Sequence, residues 1–263
     1  MMETPPYWRN DSGLSGNSVI ITGAAGGIGR AVAHGFAEAG CRVLAVDRAQ
    51  SSVADLVARL PGDRHRARSV DLRDLESHAP LLDQARDLGG PNGRLIALIH
   101  LAAVLHRRTS VDEISETDWD EQADVNLKAT FFLNRAAWRC LRDQGAGGSI
   151  VNYTSQGWWT GGFGGSVVYA ATKGGVVSLT RGLAKVFAPD NVRVNAIAPG
   201  GVDTLMFRDG LDQAGYDSFT EKIPLGRIAA PEDLVGMTLF LASDASSYLT
   251  GATMNVTGGQ LIY

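Results

Sequence analysis

The feature that constrains this chain most is a run of glycines set between two hydrophobic patterns of different period. Ser18-Val19-Ile20-Ile21-Thr22 is a short continuous apolar run, the pattern of a strand buried on both faces. It opens directly into Gly23-Ala24-Ala25-Gly26-Gly27-Ile28-Gly29, and an amphipathic helical run follows over residues 30–39 with Gly40 as its stop. A second apolar run, Arg42-Val43-Leu44-Ala45-Val46, ends at Asp47. Glycines let the turn be tight and let a pyrophosphate approach the backbone, where the helix N-terminus offers free amides. An acid closing the second strand is placed to accept hydrogen bonds from ribose hydroxyls. Strand, turn, helix, strand and acid together read as a dinucleotide-binding unit.

The alternation continues along the chain. Residues 51–60 are expected to be helical, 66–72 a strand containing Asp71, 74–88 a helix and 95–103 a strand. A long helix is expected over 117–142 with Thr117 as its cap, then a strand over 148–154 and a helix carrying Tyr169 as far as Ala188. Residues 192–198 and 252–256 read as the last strands, with a helix from Pro231 to about residue 242 between them. Between 199 and 226 the pattern weakens, which suits a mobile segment over a site. Right-handed crossovers between such strands predict an α/β fold, a Rossmann-type doubly wound parallel sheet of about seven strands with helices on both faces. It forms one domain over 14–263, behind an extension at 1–13 whose Pro5-Pro6-Tyr7-Trp8 either packs on the body or frays.

Composition narrows the partners. A net charge of -4 gives no reason to expect nucleic acid or an anionic membrane. No apolar run reaches the roughly 18 residues of a membrane span, and the first residues hold no signal-peptide core. Cys41 and Cys140 form no redox or metal motif, and the five histidines never fall into ligand spacing. A reduced, cytoplasmic protein without a structural metal is expected.

A second constellation lies near the middle of the chain. Tyr169 and Lys173 are four apart on one helix, hence on one face, with Ser155 a loop upstream. A neighbouring ammonium favours phenolate and is expected to lower the tyrosine pKa from about 10. The loop 157–165 combines five glycines with Trp158, Trp159 and Phe163, aromatics that either line a pocket or serve packing and subunit contacts. His106-Arg107-Arg108 is a basic trio that suits either a solvated loop or an anion. Asn126 sits amid an apolar helix face, where an asparagine satisfies a local backbone group or belongs to a site.

These residues together resemble the short-chain dehydrogenase/reductase family in its branch of about 250 residues. The match spans 14–259 and rests on Thr22-Gly23-x-x-x-Gly27-Ile28-Gly29, Asp47, Asp71, Asn126, Ser155, Tyr169-x-x-x-Lys173 and Pro199-Gly200-x-Val202-x-Thr204. The resemblance implies an oxidoreductase that exchanges hydride between a nicotinamide cofactor and a secondary alcohol or ketone. It implies Tyr169 as general acid/base and Lys173 as the group that lowers its pKa and binds the nicotinamide ribose. Ser155 would hold the substrate oxygen, and Asn126 a relay water. The cofactor would also meet Arg48, Leu72, Ala102 and Ala103, with Pro199 to Thr204 packing on the nicotinamide.

Three departures stand out. His100-Leu101-Ala102-Ala103 replaces the family's Asn-Asn-Ala-Gly, so local hydrogen bonds must differ. Ser155 lies one residue farther from Tyr169 than in many relatives, with Thr154 as the alternative hydroxyl. The chain ends in an apolar tip, Leu261-Ile262-Tyr263, of the kind relatives often bury at a subunit interface. Asp47 would repel a 2′-phosphate, which favours NAD over NADP, although Arg48 next door could pair with that phosphate. Trp158, Trp159, Phe163, Met206 and Phe207 suggest an apolar pocket for a small-molecule alcohol or ketone. An NADPH-dependent 3-oxoacyl carrier-protein reductase and a cofactor-binding sensor or scaffold are the alternatives. A homo-oligomer, tetramer or dimer, is expected through the helices of Asn126 and Tyr169, with Trp138 and Val186 on its contact face.

Overall fold

The central strands are apolar runs because helices cover both faces of the sheet they form, while the edge strand of residues 66–69 is polar and partly exposed. The strands are β1 (Ser18–Thr22), β2 (Arg42–Asp47), β3 (Arg66–Ser69), β4 (Leu95–His100), β5 (Gly148–Tyr153), β6 (Val192–Pro199) and β7 (Thr253–Val256). In the computed structural model, which describes residues 12–262, they pair in the order β3-β2-β1-β4-β5-β6-β7, every ladder parallel. Of the expected extension only Ser12 and Gly13 fall among the described residues, and Tyr263 also lies outside them.

The connecting helices are α1 (Gly27–Glu38), α2 (Gln50–Val57), α3 (His78–Leu88), α4 (Glu116–Ala123), α5 (Ala129–Asp143), α6 (Gly157–Thr160), α7 (Val167–Phe187), α8 (Leu205–Arg208), α9 (Gln213–Thr220) and α10 (Val235–Ala242). Alternate strand residues feed two cores: Val19, Ile21 and Val43 pack with Phe36 on one face, while Ile20, Leu44 and Leu98 pack with Leu133 on the other. β1 has β2 on one side and β4 on the other, so the chain leaves it in opposite directions and opens a crevice at the C-terminal strand ends. No helix among the described residues is long and apolar enough to cross a membrane.

The differences from expectation gather around that crevice. β3 and β4 stop at Ser69 and His100, short of the expected Leu72 and Ala103, because the residues beyond them leave the sheet to line the opening. The helix cap is Ser115, not Thr117: Ser115 Oγ accepts from Asp118 N–H at 3.1 Å while Asp118 Oδ2 accepts from Ser115 N–H at 3.0 Å. The single long helix is interrupted by a π turn at Asp124–Lys128, with Asn126 buried inside it. The weakly patterned segment 199–226 holds α8 and α9, capped by Thr204 and Asp212. Helices of four and eight residues are too short to display a period.

Candidate active site

A cavity of about 940 Å³ runs along the C-terminal strand ends. Gly23, Gly27, Ile28 and Gly29 line one end with Asp47, Arg48, Asp71 and Leu72. Ala102, Ala103, Pro199, Gly200, Val202 and Thr204 line the middle, and Ser155, Phe163, Tyr169, Lys173, Met206 and Phe207 the far end. The tertiary structure thus gathers residues from opposite ends of the chain onto one wall.

The glycine turn is shaped by contact, and the contact explains the residue type. Gly23 has φ +67°, and a β-carbon there would stand 2.7 Å from Ala102 N. At Gly29 a β-carbon would lie 2.1 Å from Gly23 O. Gly26 caps α1 without a side-chain bond, so the first-turn amides face the cavity unclaimed by any cap, a cradle that fits a pyrophosphate. Asp47 is held rigidly: Oδ2 accepts from Ala25 N–H at 2.9 Å and Oδ1 from Arg48 N–H at 2.7 Å. Arg30, which sequence reasoning passed over, also lines this end and donates from Nε to Ala25 O at 2.8 Å. Asp71 is chelated by Arg73, which holds its carboxyl below the usual range.

At the far end the hydroxyls divide. Thr154 Oγ donates to Lys173 O at 2.8 Å, so that hydroxyl is committed within the fold. Ser155 Oγ accepts from Gly157 N–H at 3.1 Å, which leaves its own proton free to donate into the cavity. Lys173 is buried, donates from Nζ to Tyr153 O at 2.8 Å, and lies 5.5 Å from the centre of the Tyr169 ring. Burial pushes the Lys173 ammonium down to about 7 and the Tyr169 phenol up to about 12. The Arg107 guanidinium acts against that rise and draws the phenol back down.

Asn126 does not line the cavity. Its Oδ1 accepts from Val104 N–H at 2.8 Å and its Nδ2 donates to Val104 O at 2.8 Å and to Thr172 Oγ at 3.2 Å. The side chain clamps the segment after β4 to the catalytic helix. His100 takes the place of the expected asparagine, buried between two threonines. Thr130 Oγ donates to Asn126 O at 2.8 Å and so accepts from His100 Nε2–H at 2.9 Å; Thr22 Oγ then donates to Nδ1 at 2.7 Å. One neutral tautomer satisfies all three bonds, and burial accordingly pushes the imidazole down to about 3.

The comparisons with known proteins match this arrangement. A family model described as enoyl-(acyl carrier protein) reductase matches residues 23–260. The 2-dehydro-3-deoxy-D-gluconate 5-dehydrogenase of Dickeya dadantii is 35% identical over 253 residues, covering 96% of this chain and 98% of that protein. The crystal structure of a short-chain type dehydrogenase/reductase from Mycobacterium marinum superposes with a TM-score of 0.88 at 31% identity, covering 97% of this chain and 99% of that one. The chain belongs to the short-chain dehydrogenase/reductase family. It is an NAD(P)-dependent alcohol dehydrogenase, acting on CH–OH donors. A further structure, from Agrobacterium tumefaciens, is described as a candidate 2-deoxy-D-gluconate 3-dehydrogenase with bound NADP; it has a TM-score of 0.84 at 37% identity, covering 96% of this chain and 99% of that one.

Two expectations for the dehydrogenase pocket need correction. Trp158 and Trp159 do not line the cavity: α6 turns Trp159 outward, 59% exposed, and sets Trp158 beneath the Arg181 guanidinium at 5.7 Å. The aromatic wall is instead Phe163, Phe207 and the unforeseen Phe219, with ring centres 5.1 and 5.0 Å from that of Phe219. The basic trio is no solvated loop either. His106 pairs with Glu121 at 2.9 Å and Arg108 with Asp118, while Arg107 turns into the cavity. Only the long-range packing of residues 106–108 separates these roles, so the sequence held no signal for it.

Proposed function

We propose that this dehydrogenase exchanges hydride between NAD and a secondary alcohol or ketone, with Tyr169 as the general acid/base. The observation that carries this reading is the shared cavity wall of Tyr169, Lys173 and Ser155, with the competing Thr154 hydroxyl tied to backbone. When bound, the nicotinamide supplies or accepts the hydride at the carbinol carbon. In oxidation Tyr169 takes the alcohol proton, and in reduction it returns a proton to the same oxygen. Ser155 donates its free hydroxyl proton to that oxygen, steadying the charge that develops there. Lys173 is close enough to stabilise the phenolate once a ligand changes its surroundings. Asn126 acts by position, tying the cavity-lining Val104 to Thr172 of α7.

The glycine turn and the first-turn amides of α1 would hold the pyrophosphate, and Asp47 the adenosine ribose. A carboxylate pinned by two amides cannot swing away from a 2′-phosphate, which supports NAD. Cys41 and Cys140 are unbridged, which supports a reducing, cytoplasmic setting. A second copy of the chain would dock on the apolar groove of α5, α7 and the π turn.

The deciving test is oxidation of a panel of secondary alcohols with NAD and with NADP, repeated with Tyr169→Phe. Loss of about 100- to 10,000-fold in kcat, with cofactor binding retained, is expected for removal of a general acid/base. Retained turnover would reassign the acid/base. Turnover only of 3-oxoacyl thioesters with NADPH would favour the carrier-protein reductase, and cofactor binding without turnover of any substrate a sensor.

A further inference from the structure

The substrate end of the cavity holds a cation that neither hydride transfer nor cofactor binding uses. Arg107 is half-buried in the wall that also carries Tyr169. Its aliphatic stem runs between two loops, where β-carbons at Gly164 and Gly210 would stand 3.9 and 3.7 Å from Cδ. Neighbouring residues lock it in place. His106 N–H donates to Gln122 Oε1 at 3.2 Å, Arg108 N–H donates to Gly165 O at 3.2 Å, and the side chains of both pair with acids outside the cavity.

The guanidinium has three edges of donors. Nη1 is spent on the carbonyls of Met206, at 3.1 Å, and Asp209, which clasps the C-terminal end of α8. The edge formed by Nε and Nη2 makes no bond to any described residue, and Nε is buried. Among the described residues Arg107 has no ion-pair partner, although Arg73, Arg108, Arg208 and Arg227 all chelate an aspartate. A buried, unpaired guanidinium donor is costly unless something else meets it. Nε is enclosed by protein, so Nη2 is the donor left open to the cavity, and a charge-assisted bond from it suits a carboxylate oxygen.

We propose that Arg107 receives a carboxylate of the substrate, so that the alcohol or ketone this enzyme acts on is a hydroxy or oxo acid. The inference rests on the reading of the cavity as a dehydrogenase active site. The carboxylate accepts from the open Nη2 of the guanidinium while the reacting oxygen meets Ser155 and Tyr169. Phe163, Phe207 and Phe219 line the same cavity and offer it an apolar wall. Binding also neutralises the cation beside the phenol, so the charge of the acid couples to the acid/base. Burial lowers the guanidinium pKa, and the nearby Asp209 and Tyr169 act against that shift.

The test compares two matched pairs of probes on the full chain saturated with reduced cofactor: D-gluconate with D-glucitol, and 3-hydroxybutyrate with 1,3-butanediol. Each pair differs only in carboxylate against CH2OH. Calorimetry is expected to show at least one acid binding about 10-fold or more tighter than its alcohol, the scale of a charge-assisted hydrogen bond. Arg107→Met should bring that ratio close to one, and Arg107→Lys should recover only part of it, since a compact ammonium cannot hold the Met206 and Asp209 carbonyls and reach the acid as the guanidinium does. Cofactor titration of each variant checks that it is folded. The proposal is overturned if neither acid outbinds its alcohol, or if the ratio survives Arg107→Met. An Arg107-dependent acid preference without turnover of any alcohol would keep the carboxylate site and reject hydride transfer. Turnover with no acid preference would do the reverse.

Discussion

At the scale of single residues, the site separates groups that the sequence shows as equals. Thr154 and Ser155 are adjacent hydroxyls, yet one is bonded to Lys173 O and the other opens to the cavity. Arg107 and Arg108 are adjacent guanidiniums, yet one faces Tyr169 and the other Asp118. Asp47 matters because it is immobile as well as charged. Its two amide bonds hold a carboxylate where a 2′-phosphate would arrive, with Arg48 and Arg30 lining the same end. Asp47→Ser is therefore expected to move the ratio of kcat/KM for NAD over NADP toward NADP by about 10-fold or more, as the loss of a like-charge contact at intermediate dielectric implies. Steady-state kinetics with both cofactors measures it. An unchanged ratio would assign the preference to another group.

At the scale of elements, β1, β4 and the π turn are tied by a directed chain of bonds from Thr22 through His100 and Thr130 to Asn126. The π turn places Asn126 where its amide clamps Val104, and Val104 leads into the segment that presents Arg107. This chain has a pH signature. His100 has a folded pKa of about 3 against an ordinary value of 6.5, so between those limits the unfolded chain binds a proton that the fold refuses. Stability from this site is complete above 6.5 and is lost as pH falls, by at most about 1.4 kcal/mol per pH unit. Burial lowers His78 in the same direction, so the comparison must be made by difference. In urea unfolding between pH 6.5 and 4.5, His100→Asn should show a shallower fall than the parent chain. Parallel slopes would remove His100 from the account.

At the scale of the whole molecule, the outer face of α5 and α7 is where a second copy would dock. Leu127, Phe131, Phe132 and Leu179 border an apolar groove, with Leu127 packed closely on Gly175 and open space over Gly182. Trp138, expected on that face, is instead spent inside the chain: it stacks on Phe187 at 4.8 Å and donates to Asp190 at 2.7 Å. Val186 remains 62% exposed. Sedimentation equilibrium is expected to show a dimer or tetramer, and Phe132→Asp to shift it toward monomer, because a carboxylate replaces apolar contact area and must be desolvated there. A monomeric parent chain would end this reading.

The sheet, the glycine turn and the placing of Tyr169 and Lys173 on one helix are legible in the sequence alone. Those signals are local: buried parallel strands are continuous apolar runs, a turn against backbone demands glycine, and four residues make one helix face. Gly23 through Gly29, Asp47 and the pair Tyr169 and Lys173 were legible for that reason. Only the tertiary structure decided which neighbours each side chain would meet. The short helices α6, α8 and α9 are too brief to carry a period, and they turn Trp158 and Trp159 away while bringing Phe219 in. Arg107 was one of three consecutive basic residues, and its burial depends on Gly164, Met206 and Asp209, far off in the chain. Side-chain partners and pKa values follow from such distant contacts, because desolvation and hydrogen bonding are properties of the packed surroundings and not of the residue.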